Sequence, residues 1–182
     1  MLEKKIAVPE GVEAITDGKR ITVKGKKGVI EKDFGDPKFL KTVSIEKSGQ
    51  EMTVRSSKDT RKHRAMVGTI EAHLKNMFLG ASGGYKYTMR IFYTHFPINI
   101  TAKDGELQIR NFLGEKGART AKIVGKTDVK VEKDELVLTG PWKEDLGQTA
   151  ANIERACKIL KRDRRIFQDG IYLTSREAGD GK

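Results

Sequence analysis

Three histidines, one cysteine and a few neighbouring carboxylates are the residues of this 182-residue chain whose types suit catalysis or metal binding. His63, His73 and His95 fall in no His-x-x-x-His or Cys-x-x-Cys spacing, so a zinc site has little support. Cys157 falls on the apolar face of a predicted helix. A nucleophilic cysteine needs an exposed, electropositive setting and a base, so a small buried hydrophobe is the expectation here. The carboxylate pairs Asp134-Glu135 and Glu144-Asp145 have no companion motif that would orient a substrate, and no Ser-His-Asp arrangement is identifiable. Lys24-Gly25-Lys26-Lys27-Gly28 lacks the Gly-x-x-x-x-Gly-Lys-Ser/Thr spacing of a phosphate loop and sits between strand signals, which predicts a basic hairpin tip. Neither an enzyme nor a cofactor is expected.

Cations offer a different chemistry. Lys+Arg 36 against Asp+Glu 25 gives a formal charge of +11, shared by both halves of the chain, and such a balance points to a polyanionic partner. The acids are interspersed, as on a folded surface rather than a disordered arm. Residues 158–165 carry Lys158, Lys161, Arg162, Arg164 and Arg165 against the lone acid Asp163, then run into Gln168-Asp169-Gly170-Ile171-Tyr172. Arginines beside a tight turn and an aromatic suit backbone and shape readout of folded RNA. The loop from Asn111 to Arg119 adds Lys116 and Arg119, with glycines that permit close backbone approach.

These segments sit on an internal duplication. Val43, Ile45, Glu46 and Lys47 return as Val129, Val131, Glu132 and Lys133. Ile70, Glu71, Leu74 and Met77 return as Ile153, Glu154, Cys157 and Leu160. Val8-Pro9 answers Phe96-Pro97, and Asp17-Gly18 answers Asp104-Gly105. Repeats this long imply two domains of one fold, not a solenoid. Strand alternation covers Val12, Ala14, 20–24, 42–46 and 51–55. A helix follows, with Ser56 or Ser57 as its cap and Met66, Ile70, Leu74 and Met77 on one face. The break at Gly80 to Gly84 predicts domains at 1–82 and 83–182. The second copy opens with an added stretch, Tyr85 to Tyr93, rich in aromatic and β-branched residues. Strands around 98–101, 106–111, 128–132 and 135–139 follow, then a helix with Thr149, Ile153, Ala156, Cys157 and Leu160 inward. Strands then one helix, twice, is an α+β architecture. The single cysteine fits a reducing cytoplasm, Met1-Leu2-Glu3-Lys4-Lys5 opens no signal peptide, and no apolar run is long enough to cross a membrane.

Several runs in family order carry a resemblance. Arg61-Lys62-His63-Arg64-Ala65-Met66-Val67-Gly68-Thr69-Ile70, Asn76-Met77 and Gly83-Gly84-Tyr85 resemble the large-subunit ribosomal protein L-six family. His95-Phe96-Pro97-Ile98-Asn99, the loop Asn111 to Lys116, Lys133-Asp134-Glu135-Leu136 and Phe167 through Tyr172 resemble its archaeal and eukaryotic branch. The resemblance covers essentially the whole chain. It implies a non-enzymatic protein of two like α+β domains, each with β-sheets and one main helix around a single core. It further implies binding to large-subunit rRNA near the sarcin-ricin loop and stalk base, beside the elongation-factor docking region and neighbouring ribosomal proteins. The second domain is then the main contact, with the basic turn Arg162 to Tyr172 as its contact element. Joined to the charges read from the residues themselves, the expected RNA-binding set is Lys116, Arg119, Lys161, Arg162, Arg164, Arg165, Gln168, Asp169, Gly170 and Tyr172. The alternative is a free-standing RNA-binding module outside the ribosome.

Overall fold

The computed structural model describes residues 2–35, 43–160, 162–163 and 165–179. Thr42, Lys161, Arg164 and the tail 180–182 lie outside the described residues. The chain divides into two compact units, Met1–Gly84 and Tyr85–Lys182.

The first unit runs β1 (Leu2–Ala7), β2 (Glu13–Asp17), β3 (Arg20–Gly25), β4 (Gly28–Asp33), β5 (Val43–Ser48), β6 (Glu51–Ser56) and α1 (Arg61–Ser82). It holds two antiparallel three-stranded sheets, ordered β1-β6-β5 and β2-β3-β4. Alternation aims Ile21, Val23, Met52 and Val54 into the core, where α1 adds Val67, Ile70, Leu74 and Met77 at spacings of three and four. The helix starts later than Ser56 or Ser57. Ser56 ends β6, buried, and its hydroxyl donates 3.0 Å to the Lys58 carbonyl. Thr60 is the N-cap: its backbone is extended and its hydroxyl accepts from the His63 amide. At the far end the Gly83 and Gly84 amides both reach the Leu79 carbonyl, and Gly84 turns the chain away at φ 77°. The sequence Lys24 to Gly28 is a hairpin between β3 and β4, as expected. Its Lys27 amide donates 3.1 Å to the Ala81 carbonyl, which docks the turn on the end of α1.

The second unit runs β7 (Tyr85–Phe92), β8 (Asn99–Lys103), β9 (Glu106–Arg110), β10 (Arg119–Lys122), β11 (Asp128–Val131), β12 (Glu135–Gly140), α2 (Lys143–Ala156) and β13 (Gly170–Ala178). Its sheets are ordered β8-β9-β10 and β11-β12-β7-β13. The first matches β2-β3-β4, and β11-β12-β7 matches β5-β6-β1. The fold is therefore α+β and duplicated. Asp104-Gly105 closes β8 and β9 with both residues at positive φ, the geometry of a two-residue hairpin turn.

Two sequence readings are corrected here. Tyr85 to Tyr93 is not an addition, because β7 is the counterpart of β1. Strand β1 escapes notice because three of its residues, Glu3 to Lys5, are exposed. The true addition is β13, which pairs along β7 and gives that sheet a fourth strand. The inner face of α2 also ends sooner than expected. Leu146, Thr149, Ala150 and Ile153 are buried, Cys157 caps the helix, and Leu160 lies beyond it, 66% exposed.

Candidate nucleic-acid interface

Between α2 and β13 the described residues 157–160, 162–163 and 165–169 form a turn. Asp163 organises the turn: its carbonyl accepts from the amides of Ile166 (3.2 Å) and Phe167 (3.0 Å), and its carboxylate holds Arg165 through the amide and the guanidinium. That guanidinium keeps the Asp163 carboxyl below the usual carboxylate range. Arg165 is otherwise 90% exposed. The Arg162 guanidinium lies 4.9 Å over the Phe167 ring, and Phe167 stands 6.2 Å from the His95 ring, so cation and aromatics form a short stack.

The loop from Asn111 to Arg119 reaches the same place. Asn111, Leu113 and Gly114 stand at positive φ in it, and Phe112 and Leu113 are buried beneath. Arg119 fastens it. Its guanidinium donates to Glu115 twice (2.6 and 2.8 Å) and to the carbonyls of Ala156 (2.9 Å) and Lys158 (3.0 Å), and lies 4.3 Å over the Phe112 ring. Four of its five N–H groups are thus engaged inside the protein. The hydrogen bond from Arg119 also lowers the Glu115 carboxyl, with Arg162 contributing at longer range. The two basic segments read separately in the sequence therefore form one surface, and Arg119 is what joins them.

The predicted site residues divide into two groups. Lys116, Arg162, Arg165, Gln168 and Tyr172 are exposed on this face. Asp169 and Gly170 are buried. Asp169 accepts 3.3 Å from the Thr94 amide, pinning the turn to the end of β7, and its second carboxylate oxygen is buried without a partner among the described residues. Gly170 leaves room for Tyr172: a Cβ there would lie 2.8 Å from the tyrosine ring. Tyr172 in turn donates 3.2 Å to the Gln168 carbonyl. Asp169, Gly170 and Arg119 thus shape the surface, and Lys161 and Arg164 lie outside the described residues.

A groove of about 550 Å³ opens beside the turn, lined by Arg155, Lys158, Arg165, Phe167, Gln168 and Tyr172 among others. Its acid Glu154 is engaged, accepting 3.0 Å from the Leu173 amide. A second cleft, of about 470 Å³, is lined by Phe92, Tyr93, Thr94, Gln168 and Tyr172. The sequence reading missed Arg155 and this aromatic cleft. The signal was present in Phe92-Tyr93-Thr94-His95-Phe96-Pro97, where every residue is exposed. Elsewhere the candidate chemistry is structural. Burial pushes the Cys157 thiol up to about 12. His63 contacts the cap Thr60, and His73 lies 3.2 Å from the Lys32 ammonium. Among the described residues no cluster of three metal-ligating side chains occurs, and no helix is long and apolar enough to cross a membrane.

Comparison with known proteins gives a family match in both units. A sequence profile described as ribosomal protein L6 matches residues 8–84 and again 96–170. Both matches begin just after the first strand of a unit. The large ribosomal subunit protein uL6 of Methanocella arvoryzae is 50% identical over 174 residues, covering 95% of this chain and 96% of its own. That of Methanosarcina mazei is 44% identical over 175 residues, covering 96% and 97%. That of Ignicoccus hospitalis is 41% identical over 173 residues, covering 94% and 93%.

Proposed function

Because the chain belongs to the ribosomal protein L6 family, we propose that it holds large-subunit rRNA mainly through its second unit. It is a structural, non-enzymatic constituent of the large ribosomal subunit, working in translation within the cytoplasmic ribosome. Family resemblance carries the proposal further, to rRNA near the sarcin-ricin loop and stalk base. There the protein would support the elongation-factor docking region alongside neighbouring ribosomal proteins.

The observation that carries this reading is the balance of charge around the groove. Lys116, Lys158, Arg162 and Arg165 present cations outward. The nearby carboxylates are each turned to a protein donor: Glu115 to Arg119, Asp163 to Arg165, Glu154 to the Leu173 amide and Asp169 to the Thr94 amide. A phosphate backbone entering here meets paired acids, the Arg162 guanidinium and, once its fork leaves Asp163, that of Arg165, and such forks suit bidentate phosphate contacts. The Arg165–Asp163 pair is solvent-exposed and so opposes such an exchange only weakly.

The test is the triple substitution Arg162→Ala, Arg164→Ala and Arg165→Ala in the full chain, titrated against a folded large-subunit rRNA fragment. Affinity should fall by at least about 30-fold, from the lower range for hydrogen bonds to charged groups. The circular dichroism should be unchanged, since Arg162 and Arg165 are exposed. Wild-type affinity in the folded variant would remove the site. Sedimentation separates the free-standing alternative: a ribosomal constituent travels almost wholly with large subunits.

A further inference from the structure

We propose that the cleft lined by Phe92, Tyr93, Thr94, Gln168 and Tyr172 receives one unpaired RNA base, stacked on its aromatic rings. The inference rests on the RNA-binding role given to the second unit and assigns a separate task to this part of it.

The cleft has the components that base recognition uses. Phe92, Tyr93 and Tyr172 are each more than two-fifths exposed, an unusual cost in apolar surface for one corner of a small unit. The rings of Phe92 and Tyr172 stand 5.9 Å apart and tilted by 54°, so each supports the other without covering it. The Arg90 guanidinium lies 5.3 Å over Phe92, a cation beside the π surface. Thr94 and Gln168 line the same cleft; the Gln168 amide nitrogen donates 3.3 Å to the Arg165 carbonyl, and a side-chain amide oxygen and a threonine hydroxyl are groups that can meet a base edge. The cleft is also built to hold its shape. The Asp169 carboxylate ties the turn to the Thr94 amide, and Gly170 lets the Tyr172 ring lie close against the backbone.

Charge selects the occupant. Gln168 and Tyr172 line both this cleft and the basic groove, so the two are neighbours sharing one wall. A sugar-phosphate backbone following Lys158 and Arg165 along the groove would bring a base to that wall. Sequence-specific RNA binding commonly splays single bases onto aromatic or arginine planes in this way. An apolar protein partner would gain nothing from the flanking Arg90, Arg162 and Arg165.

The experiment uses the full chain and the folded rRNA fragment at several salt concentrations. Tyr93→Ala and the double variant Phe92→Leu/Tyr93→Leu should each weaken binding roughly tenfold, since base–aromatic stacking is lost while apolar bulk is kept in the leucine variant. The dependence of affinity on salt should not change, because no phosphate contact is removed. Tyr93→Phe, which keeps the ring, should bind as wild type. Thermal melts identify any variant that fails to fold, and Tyr93→Ala, at an exposed position, provides the second route. Wild-type affinity in both folded stacking variants overturns the proposal and gives the cleft to a protein neighbour. A tenfold loss shared by Tyr93→Phe also overturns it, because the ring is then not the recognised feature. A wild-type chain that fails to bind the fragment at all overturns the wider RNA-binding reading, a separate result.

Discussion

Replacing Arg119 by methionine tests the joint between the loop and the basic turn. Methionine keeps much of the apolar stem but none of the donors. The change removes two charge-assisted bonds to Glu115, two bonds to the carbonyls of Ala156 and Lys158, and the stack on Phe112. The Glu115 side chain is 45% exposed, so its carboxylate recovers water, and that bridge contributes only about 0.5 kcal/mol. The two carbonyls close the end of α2, and at about 1 kcal/mol each they contribute about 2 kcal/mol. The cation–π contact adds about 0.5 kcal/mol. The expected loss is therefore about 3 kcal/mol. Urea denaturation followed by tryptophan fluorescence reads it, because the chain's single tryptophan is Trp142, the residue preceding α2. With a slope of about 2 kcal/mol per molar the midpoint should fall by roughly 1.5 M. Arg119→Lys keeps the charge but not the planar fork, and should recover less than half of the loss. The pH dependence has a definite sign. The folded Glu115 carboxyl lies below its unfolded value of about 4.3, so its contribution is present above that value and fades as pH falls through the folded one. The gap between wild type and Arg119→Met should narrow in acid. A loss under about 1 kcal/mol, far below the bond sum, would refute the reasoning and leave the loop held by Phe112 alone.

Burial raises the Cys157 thiol to about 12, so its protonated form supports folding below the unfolded value of about 8.5 and that support is lost as pH rises toward 12. A thiol reagent at pH 8 should leave native protein almost unlabelled and react once urea unfolds the second unit, whereas fast native labelling would contradict the burial. Gly25→Ala should destabilise the first unit by about 3 kcal/mol or more, because a Cβ there collides with the Ala81 carbonyl at the end of α1. Gly18→Ala, which meets no atom nearby but sits at φ 59°, should cost only about 1 kcal/mol, and equal losses in thermal melts would remove the packing argument. A fragment 85–182 should fold alone and keep most affinity for the rRNA fragment, while 1–84 should bind more weakly. Equal affinity of 1–84 and the full chain would move the main contact to the first unit.

Much of the fold was legible because it is written in period and repetition. Ile21 and Val23 alternate, Ile70, Leu74 and Met77 recur at helical spacing, and each pattern returns in the second copy. Strand β1 was illegible because Ile6 is its one fully buried position, and β13 because it is recognised only by pairing with β7. The cap moved from Ser56 to Thr60 because tertiary burial claims Ser56 first. At the site, composition locates charge but not direction. Arg119 and Arg162 look alike in sequence, yet one is tied inward by carbonyls more than thirty residues away and the other lies outward over Phe167. Asp169 looked like part of an exposed turn because nothing local reveals the Thr94 amide that buries it.

The central claim, that the second unit grips rRNA through its basic turn and the surface around it, is tested most directly by a residue-level crosslinking map of the protein within purified large ribosomal subunits. The account predicts crosslinks to large-subunit rRNA from Lys116, from residues 155–172 and from the aromatic run 92–96, with those from the first unit sparser. Crosslinks to rRNA confined to residues 1–84, with 155–172 joined only to protein, would contradict it.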